Sequence, residues 1–407
     1  MKAAIELASW DECTGCAACC AACSFDALSM HADNEGFLRP EIDCDTCITC
    51  GACVRACPML GAGYAKREPD KVLACWDRNS EQREFATSGG VFGLLASGVL
   101  AEGGYVCGAV LGEDMAVRHV VTRDGDLMKR MKGSKYVQSD TADALAACAH
   151  LLKEGCTVLF VGTPCQVAAM RAIAPKGSEK RLYLVDVLCH GAPSPLFWKA
   201  YLEYREAEVR DEVIDARFRK KSPSWTVFSL ELTFKTEHRL YEWCTVEDLY
   251  LRAFLGDYIS RPCCHFCRYA GTERASDITL ADFWGYVSDS FKTRNTEQGI
   301  SLVLLNSEKA NELFAKASPR LVIVDKTLDE ASAGNPPLRG PIAENPRRRE
   351  FWEAFSRQGI EGVVSDFLQP VRPSYKYRMS LLFNKYAFLV PRPMRLRLIG
   401  LRQRLKG

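Results

Sequence analysis

From residue 71 onward, short apolar runs alternate with longer stretches whose apolar residues recur at helical spacing. The runs KVLACW (71–76), YVCGAVL, VRHVV, TVLFVG (157–162) and RLYLVDVL (181–188) predict strands. Between them, TSGGVFGLLASGVLAEG predicts a helix capped by Ser88, and TADALAACAHLLKEG predicts one closed by Gly155. CQVAAMRAI and PLFWKAYLEYREAEV predict two more. Continuous apolar strands separated by helices predict a sheet that is at least partly parallel and covered on both faces. From about residue 215 the pattern changes. TVFSLELTF (226–234) alternates like a half-exposed strand and suits an antiparallel extension, and a helix-like stretch at 247–256 leads into RPCCHFCRYAGTERASDITLADFWG (261–285).

The first 60 residues follow neither pattern but hold half of the twenty cysteines, and the polar stretch AGYAKREPDK (62–71) reads as a linker. At 407 residues, with 47% hydrophobic content, the chain has enough apolar surface for a real core and more than one domain. Lys plus Arg of 53 against Asp plus Glu of 51 leaves no global charge that points to nucleic acid. MKAAIELASW carries a glutamate in its short apolar run and no small-residue cleavage site, so it makes a poor signal peptide. VFGLLASGVLA (91–101) is far short of the roughly 20 residues that span a bilayer. The expected compartment is therefore the reducing cytoplasm, where clustered cysteines favour metal or redox chemistry over disulfides.

Cys47, Cys50, Cys53 and Cys57, followed by Pro58, have the spacing of bacterial two-cluster ferredoxins, in which three thiolates from a tight loop grip one cubane and the fourth reaches the other. Cys13, Cys16, Cys19 and Cys23 fit the same register, with Ser24 where proline is usual. The crossover rule assigns Cys13, Cys16, Cys19 and Cys57 to one 4Fe-4S cluster and Cys47, Cys50, Cys53 and Cys23 to the other. Cys20 and Cys44 are surplus. Zinc, which favours two separate CxxC pairs around one ion, serves two matching runs of four poorly. Residues 1–63 are thus expected to be a two-cluster 4Fe-4S ferredoxin-like domain.

Further along, Cys165 and Cys189 each stand just past the carboxyl end of a predicted strand, where open α/β sheets place their chemistry. Cys264 and Cys267 add a CxxC pair in a loop, and the four could close a third 4Fe-4S cluster. Other readings stay open on spacing alone: Cys165 at a helix amino terminus as a reactive low-pKa thiol, Cys189 as a packing residue, and the CxxC pair as a zinc or redox motif.

The stretches SGGVFGLL, KGSKYVQS, GTPCQVAAMRA, DVLCHGAPSP and CHFCRYAGTERASDITLADFWG, in this order, resemble the beta-subunit family of the coenzyme F-420 reducing hydrogenases and dehydrogenases over about residues 70–370. The resemblance implies FAD and an iron-sulfur cluster, and some members carry a fused two-cluster ferredoxin module. The fold class it implies is α/β to α+β: a bacterial-type 2x(4Fe-4S) ferredoxin module fused to a mixed α/β flavoprotein domain, with halves at 72–206 and 207–370 and a basic tail at 371–407. It makes Cys165, Cys189, Cys264 and Cys267 the cluster beside the flavin and Cys263 a bystander. It places the flavin against Ser88, Gly89 and Gly90, against Gly133, Ser134, Lys135, Tyr136 and Gln138, and against the Gly162, Thr163 and Pro164 turn. Independently, TSGGV opens a helix with two glycines that admit a phosphate to the amides, and Lys135 can pair with a pyrophosphate. Asp282 of DFWG either caps or bonds near the cofactor, and Trp284 suits the core. The family also includes a reductase acting on hydroxymethyl chlorophyll, so the fold is not tied to one substrate.

The expected function is an iron-sulfur flavoprotein oxidoreductase. It would pass electrons between a redox partner protein, either a ferredoxin or a hydrogenase/dehydrogenase-type subunit, and a small two-electron substrate, either the deazaflavin coenzyme F-420 or another organic molecule. His190, next to Cys189, is the nearest candidate for proton delivery. Two rivals are a flavin-free electron carrier or adaptor and a Cys165 thiol redox enzyme. After residue 370, ten basic residues occur with no acidic one. MSLLFNKYAFLV and PRPMRLRLIGLRQRLKG suit a solvated or protein-docked tail, with peripheral contact to an anionic membrane as the second reading.

Overall fold

Each cysteine run leads into a single helical turn, and the two turns flank a hairpin. In the computed structural model, which describes residues 5–61, 66–222, 224–236, 239–243, 247–288 and 298–369, this first module comprises α1 (Ala18–Ala21), β1 (Leu28–Ala32), β2 (Leu38–Ile42) and α2 (Ala52–Ala56). The strands pair antiparallel, with Leu28 opposite Ile42.

The remaining elements follow as β3 (Lys71–Asp77), α3 (Ser80–Glu84), α4 (Val91–Ala101), β4 (Tyr105–Leu111), β5 (Val117–Thr122), α5 (Gly125–Met131), α6 (Ala142–Lys153), β6 (Val158–Gly162), α7 (Pro164–Ile173), β7 (Leu182–Val187) and α8 (Pro195–Val209). Then come β8 (Val213–Lys220), β9 (Ser229–Phe234), β10 (Arg239–Trp243), α9 (Leu249–Leu255), β11 (Ile278–Asp282), β12 (Ser301–Leu305), α10 (Glu308–Ala317), β13 (Leu321–Lys326), α11 (Leu328–Gly334) and α12 (Arg348–Asp366). Eight strands form one sheet in the order β13-β3-β12-β11-β7-β6-β4-β5. Its centre, β11-β7-β6-β4, is parallel, and the flanking pairs are antiparallel. The halves divided near residue 206 therefore share one sheet.

Successive residues of the central strands feed opposite faces, as the pleat requires. Leu159 and Val185 join Leu95, Val99, Leu313 and Phe314 of α4 and α10 on one face. Phe160 and Leu184 join Leu145, Cys148 and Val167 of α6 and α7 on the other. Cys16, Ala17 and Ala18 of the first module belong to that second cluster, so the module is packed into the core of the large domain.

Two expectations are corrected. The helix expected from Ser88 begins at Val91, with Gly90 at φ 89 as its cap. Ser88 stays outside it, its hydroxyl 2.5 Å from the Ile300 carbonyl. The strand read in TVFSLELTF starts at Ser229 and belongs to a separate three-stranded sheet, β10-β9-β8, rather than extending the main one. That sheet packs with α8, α9 and α12 around an aromatic core that includes Phe197, Trp198, Tyr201, Phe218 and Tyr250. Among the described residues, no helix is long and apolar enough to cross a membrane. The basic tail lies outside the described residues.

Candidate iron-sulfur and flavin site

The two cysteine runs repeat in backbone conformation as well as in spacing. Gly15 and Thr49 take φ 65 and 58, and Ala17 and Gly51 take φ 61 and 72. Equivalent positions of both runs thus enter the left-handed region, which costs energy at the non-glycine positions and curls each loop around its thiols. Cys13, Cys16, Cys19 and Cys57 line one small cavity, with Leu7, Pro40 and Met59 among its walls. This is the quartet that the crossover rule joins, and Cys19 rather than Cys20 faces the space. Burial pushes the Cys16 thiol up to about 12 and raises Cys57 also. A buried thiol resists ionisation until a cation compensates it, as iron would. In the second run Cys53 is buried, Cys47 is half-buried and Cys50 is exposed. The Thr49 amide points at the Cys47 sulfur at 3.4 Å. This set is the one nearer solvent. Among the described residues, no three His, Cys, Asp or Glu side chains are grouped as ligands for a single metal ion.

The second thiol set assembles at the carboxyl edge of the parallel strands. Cys165 follows β6 as the second residue of α7, Cys189 follows β7, and Cys263, Cys264 and Cys267 sit on or just after the helical turn Pro262–Phe266 before β11. These three strands are neighbours in the sheet. Burial pushes Cys165 up to about 12, against a hydrogen-bonding contact with the Thr163 hydroxyl, and the nearby Cys267, Cys16 and Cys263 raise it further. Burial likewise raises Cys189, with Cys165 and Cys267 next in effect. The low pKa expected of Cys165 from its helix terminus is therefore overridden by desolvation, which argues against a free reactive thiol. Cys16 stands beside Cys165, so the inner quartet of the first module borders the second set. Cys264 accepts from the Ala192 amide at 3.4 Å. Cys263, which sequence reasoning set aside, is buried and hydrogen-bonded to Cys264.

The Cys165 turn is anchored from within the core. The Thr163 amide donates to Gln166 Oε1 at 2.8 Å, Gln166 Nε2 donates to Ser139 Oγ at 2.9 Å, and Ser139 meets His119 Nδ1 at 2.9 Å. The T-P-C-Q spacing of a capping box signals the first of these bonds, and no local pattern signals the rest.

The expected flavin segments are brought together in part. The Ser134 amide donates to Thr87 Oγ1 at 2.7 Å, joining the loop before α4 to the Gly133–Tyr136 loop. A Cβ on Gly89 would lie 2.3 Å from the Cys75 carbonyl, so the glycine is needed for close backbone approach. A Cβ on Gly133 would meet nothing within 4 Å, which leaves space beside that loop. Arg83, lowered to about 10 by burial, and Lys221, lowered to about 7 by burial, stand beside the Ser88–Gly90 loop. Lys221 donates to the carbonyls of Arg83, Ser88 and Gln298, whereas Arg83 Nε is buried without a hydrogen-bond partner. Other expected contacts are engaged elsewhere. Lys135 Nζ donates to the Arg130 and Lys132 carbonyls, and Gln138 Oε1 accepts from the Leu38 amide of the first module. Asp282 pairs with Arg219 at 2.9 Å and accepts from Trp225 Nε1. His190 Nε2 lies 2.9 Å from Asp257 Oδ1, with its ring edge-on to Phe254.

Residues 12–60 match the 4Fe-4S dicluster domain, and residues 156–331 match the C terminus of the beta subunit of coenzyme F420 hydrogenase/dehydrogenase. A chain from the xenon-derivatized F420-reducing NiFe hydrogenase complex of Methanosarcina barkeri is 17% identical, with a TM-score of 0.47, over 76% of this chain and 97% of that one. No curated protein matches. With the thiol quartets placed as described, residues 156–331 carry the C-terminal region of the beta-subunit family of the coenzyme F420 hydrogenases and dehydrogenases, and a 4Fe-4S dicluster domain precedes it at residues 12–60.

Proposed function

We propose that the protein is an iron-sulfur flavoprotein oxidoreductase that passes electrons between a one-electron redox partner protein and a small organic two-electron substrate. The observation that carries this reading is the continuity of thiols. A half-exposed set (Cys47, Cys50, Cys53, with Cys23) leads to the cavity quartet Cys13, Cys16, Cys19 and Cys57, and Cys16 adjoins Cys165 of the set at the sheet edge. When bound, the clusters carry single electrons and the flavin exchanges pairs, so the flavin is where the two currencies meet.

The chain's own residues position these groups. Thr163, Gln166 and Ser139 fix the turn that presents Cys165, and Ala192 donates its amide to Cys264. The Ser88–Gly90 loop, the Gly133–Tyr136 loop and the Gly162–Pro164 turn are the segments we assign to FAD, with the buried Arg83 as counter-charge to its phosphates. His190, oriented by Asp257, is the side chain we assign to proton exchange with the substrate. The physiological substrate belongs to the class that accepts or yields a hydride, of which the deazaflavin coenzyme F-420 is one.

The test is Cys165→Ser in the holoprotein, followed by rapid reduction with a one-electron donor. The N-terminal clusters should still bleach, while flavin reduction slows at least a hundredfold. Flavin reduction at the wild-type rate would break the proposed path.

A further inference from the structure

Among the described residues, Arg261 is the largest side chain buried to completion, at 0% exposure. Its Nε donates to the Cys13 carbonyl at 2.8 Å and its Nη1 to the Leu38 carbonyl at 3.0 Å. Its Nη2 is buried with no hydrogen-bond partner, and no carboxylate pairs with it among the described residues. The guanidinium lies over the Phe37 ring, 5.4 Å from its centroid. The backbone of the same residue belongs to the other thiol set: its amide donates to the Ala192 carbonyl and its carbonyl accepts from the Cys264 amide, both at 2.9 Å. Arg261 therefore reaches from the loop of Cys263, Cys264 and Cys267 into the loop of Cys13 and Cys16.

The contact is tight. A Cβ on Gly15 would lie 2.6 Å from Arg261 Nη1 and 2.5 Å from Gln138 Nε2, and that amide nitrogen is likewise buried without a partner. The guanidinium, through the Nη1 that bonds Leu38, and the unpartnered Gln138 amide nitrogen thus press on a loop whose thiols face an inner cavity, and the same guanidinium keeps Nη2 unsatisfied. Burying a guanidinium without a counter-ion is costly. Four thiolates outweigh the positive charge of the 4Fe-4S core they hold, so a loaded quartet is anionic, and reduction adds one further negative charge. Charge and hydrogen bonding around the sulfurs are the protein's means of setting cluster potential.

We propose that Arg261 is a positioning residue whose buried charge is shared by the two thiol sets and raises the reduction potentials of the clusters they hold. The proposal rests on the relay reading above. A strut that only ties Cys13 to the large domain would need its hydrogen bonds and not its charge, and this difference makes the two roles separable.

The experiment is a potentiometric titration of the anaerobic holoprotein with dithionite, followed by electron paramagnetic resonance, on wild type, Arg261→Lys, Arg261→Gln and Gln138→Glu. The lysine variant keeps the charge and should titrate near wild type. In Arg261→Gln, reduction of the inner cluster should become at least tenfold less favourable, about 59 mV for one electron. Gln138→Glu places a carboxylate against an intact guanidinium and should shift the potential the same way, which keeps the test alive if Arg261→Gln does not fold. Unchanged potentials in glutamine and glutamate variants that retain wild-type iron would overturn the proposal. The failure of either reading is visible separately. About eight irons per chain with a shifted inner cluster would remove the cluster at the sheet edge and keep the role of Arg261. About twelve irons with no shift would do the reverse.

Discussion

The imidazole of His119 is bonded at both nitrogens, with Nε2 2.9 Å from the Val161 carbonyl and Nδ1 2.9 Å from Ser139 Oγ. A carbonyl only accepts, so Nε2 carries the proton, Nδ1 accepts from the Ser139 hydroxyl, and Ser139 accepts in turn from Gln166. This one proton order satisfies every member as far as the Cys165 turn. Burial lowers the His119 pKa to about 4, from an unfolded value near 6.5. The unfolded chain therefore binds the extra proton first as pH falls. The stability conferred by neutral His119 is complete above about pH 6.5 and is lost progressively down to about pH 4. Denaturant titrations at pH 7 and pH 4 should show wild type losing about 3 kcal/mol more than His119→Gln. Parallel losses would mean that the ring is not held neutral. At this scale the thiols themselves were the most legible feature, because metal chemistry constrains their spacing. The partners that hold them were not, since Arg261, Ser139 and Gln138 act through contacts distant in sequence.

Among the elements, the loop from Cys264 to Arg274 carries two of the candidate ligands and is tied to the sheet by one buried ion pair. Arg274 Nη2 meets Asp186 Oδ2 at 2.7 Å, with side chains 1% and 0% exposed, and Arg274 also donates to the Tyr269 and Gly271 carbonyls. Asp186 lies on β7, three residues before Cys189, so the pair sets Cys267 against Cys189. Removing one charge of such a pair leaves the other stranded. Asp186→Asn should cost about 3–5 kcal/mol in denaturant unfolding and lower the iron content. A loss below about 1 kcal/mol, the range of an exposed pair, would contradict this. The strands β3 to β7 were readable because buried strands are continuous apolar runs closed by helices. The strands β11 to β13 were not read. SLVLL of β12 is itself a continuous buried run closed by α10, but β12 and β13 pair with β3, which lies more than 200 residues earlier, so no local signal announces that pairing. β13, at the sheet edge, also alternates in burial.

At the scale of the molecule, the polar stretch at 62–71 suggested a tethered ferredoxin module, yet the described part of that module is docked. Thr141 Oγ1 donates to the Cys16 carbonyl at 3.0 Å, and Arg348 pairs with Glu35. A Cβ on Gly36, at φ +82, would lie 2.3 Å from Leu196 Cβ. Gly36→Val should push the module off this surface. Flavin reduction by a one-electron donor should then slow at least tenfold, with iron content unchanged. An unchanged rate would mean that the docked position is not the one that transfers electrons. The proposed function requires three 4Fe-4S clusters and one flavin in a single chain. The most direct test is to purify the protein anaerobically and count iron and flavin per chain. About twelve irons, four for each cluster, and about one FAD are expected. About eight irons, or no flavin, would contradict it.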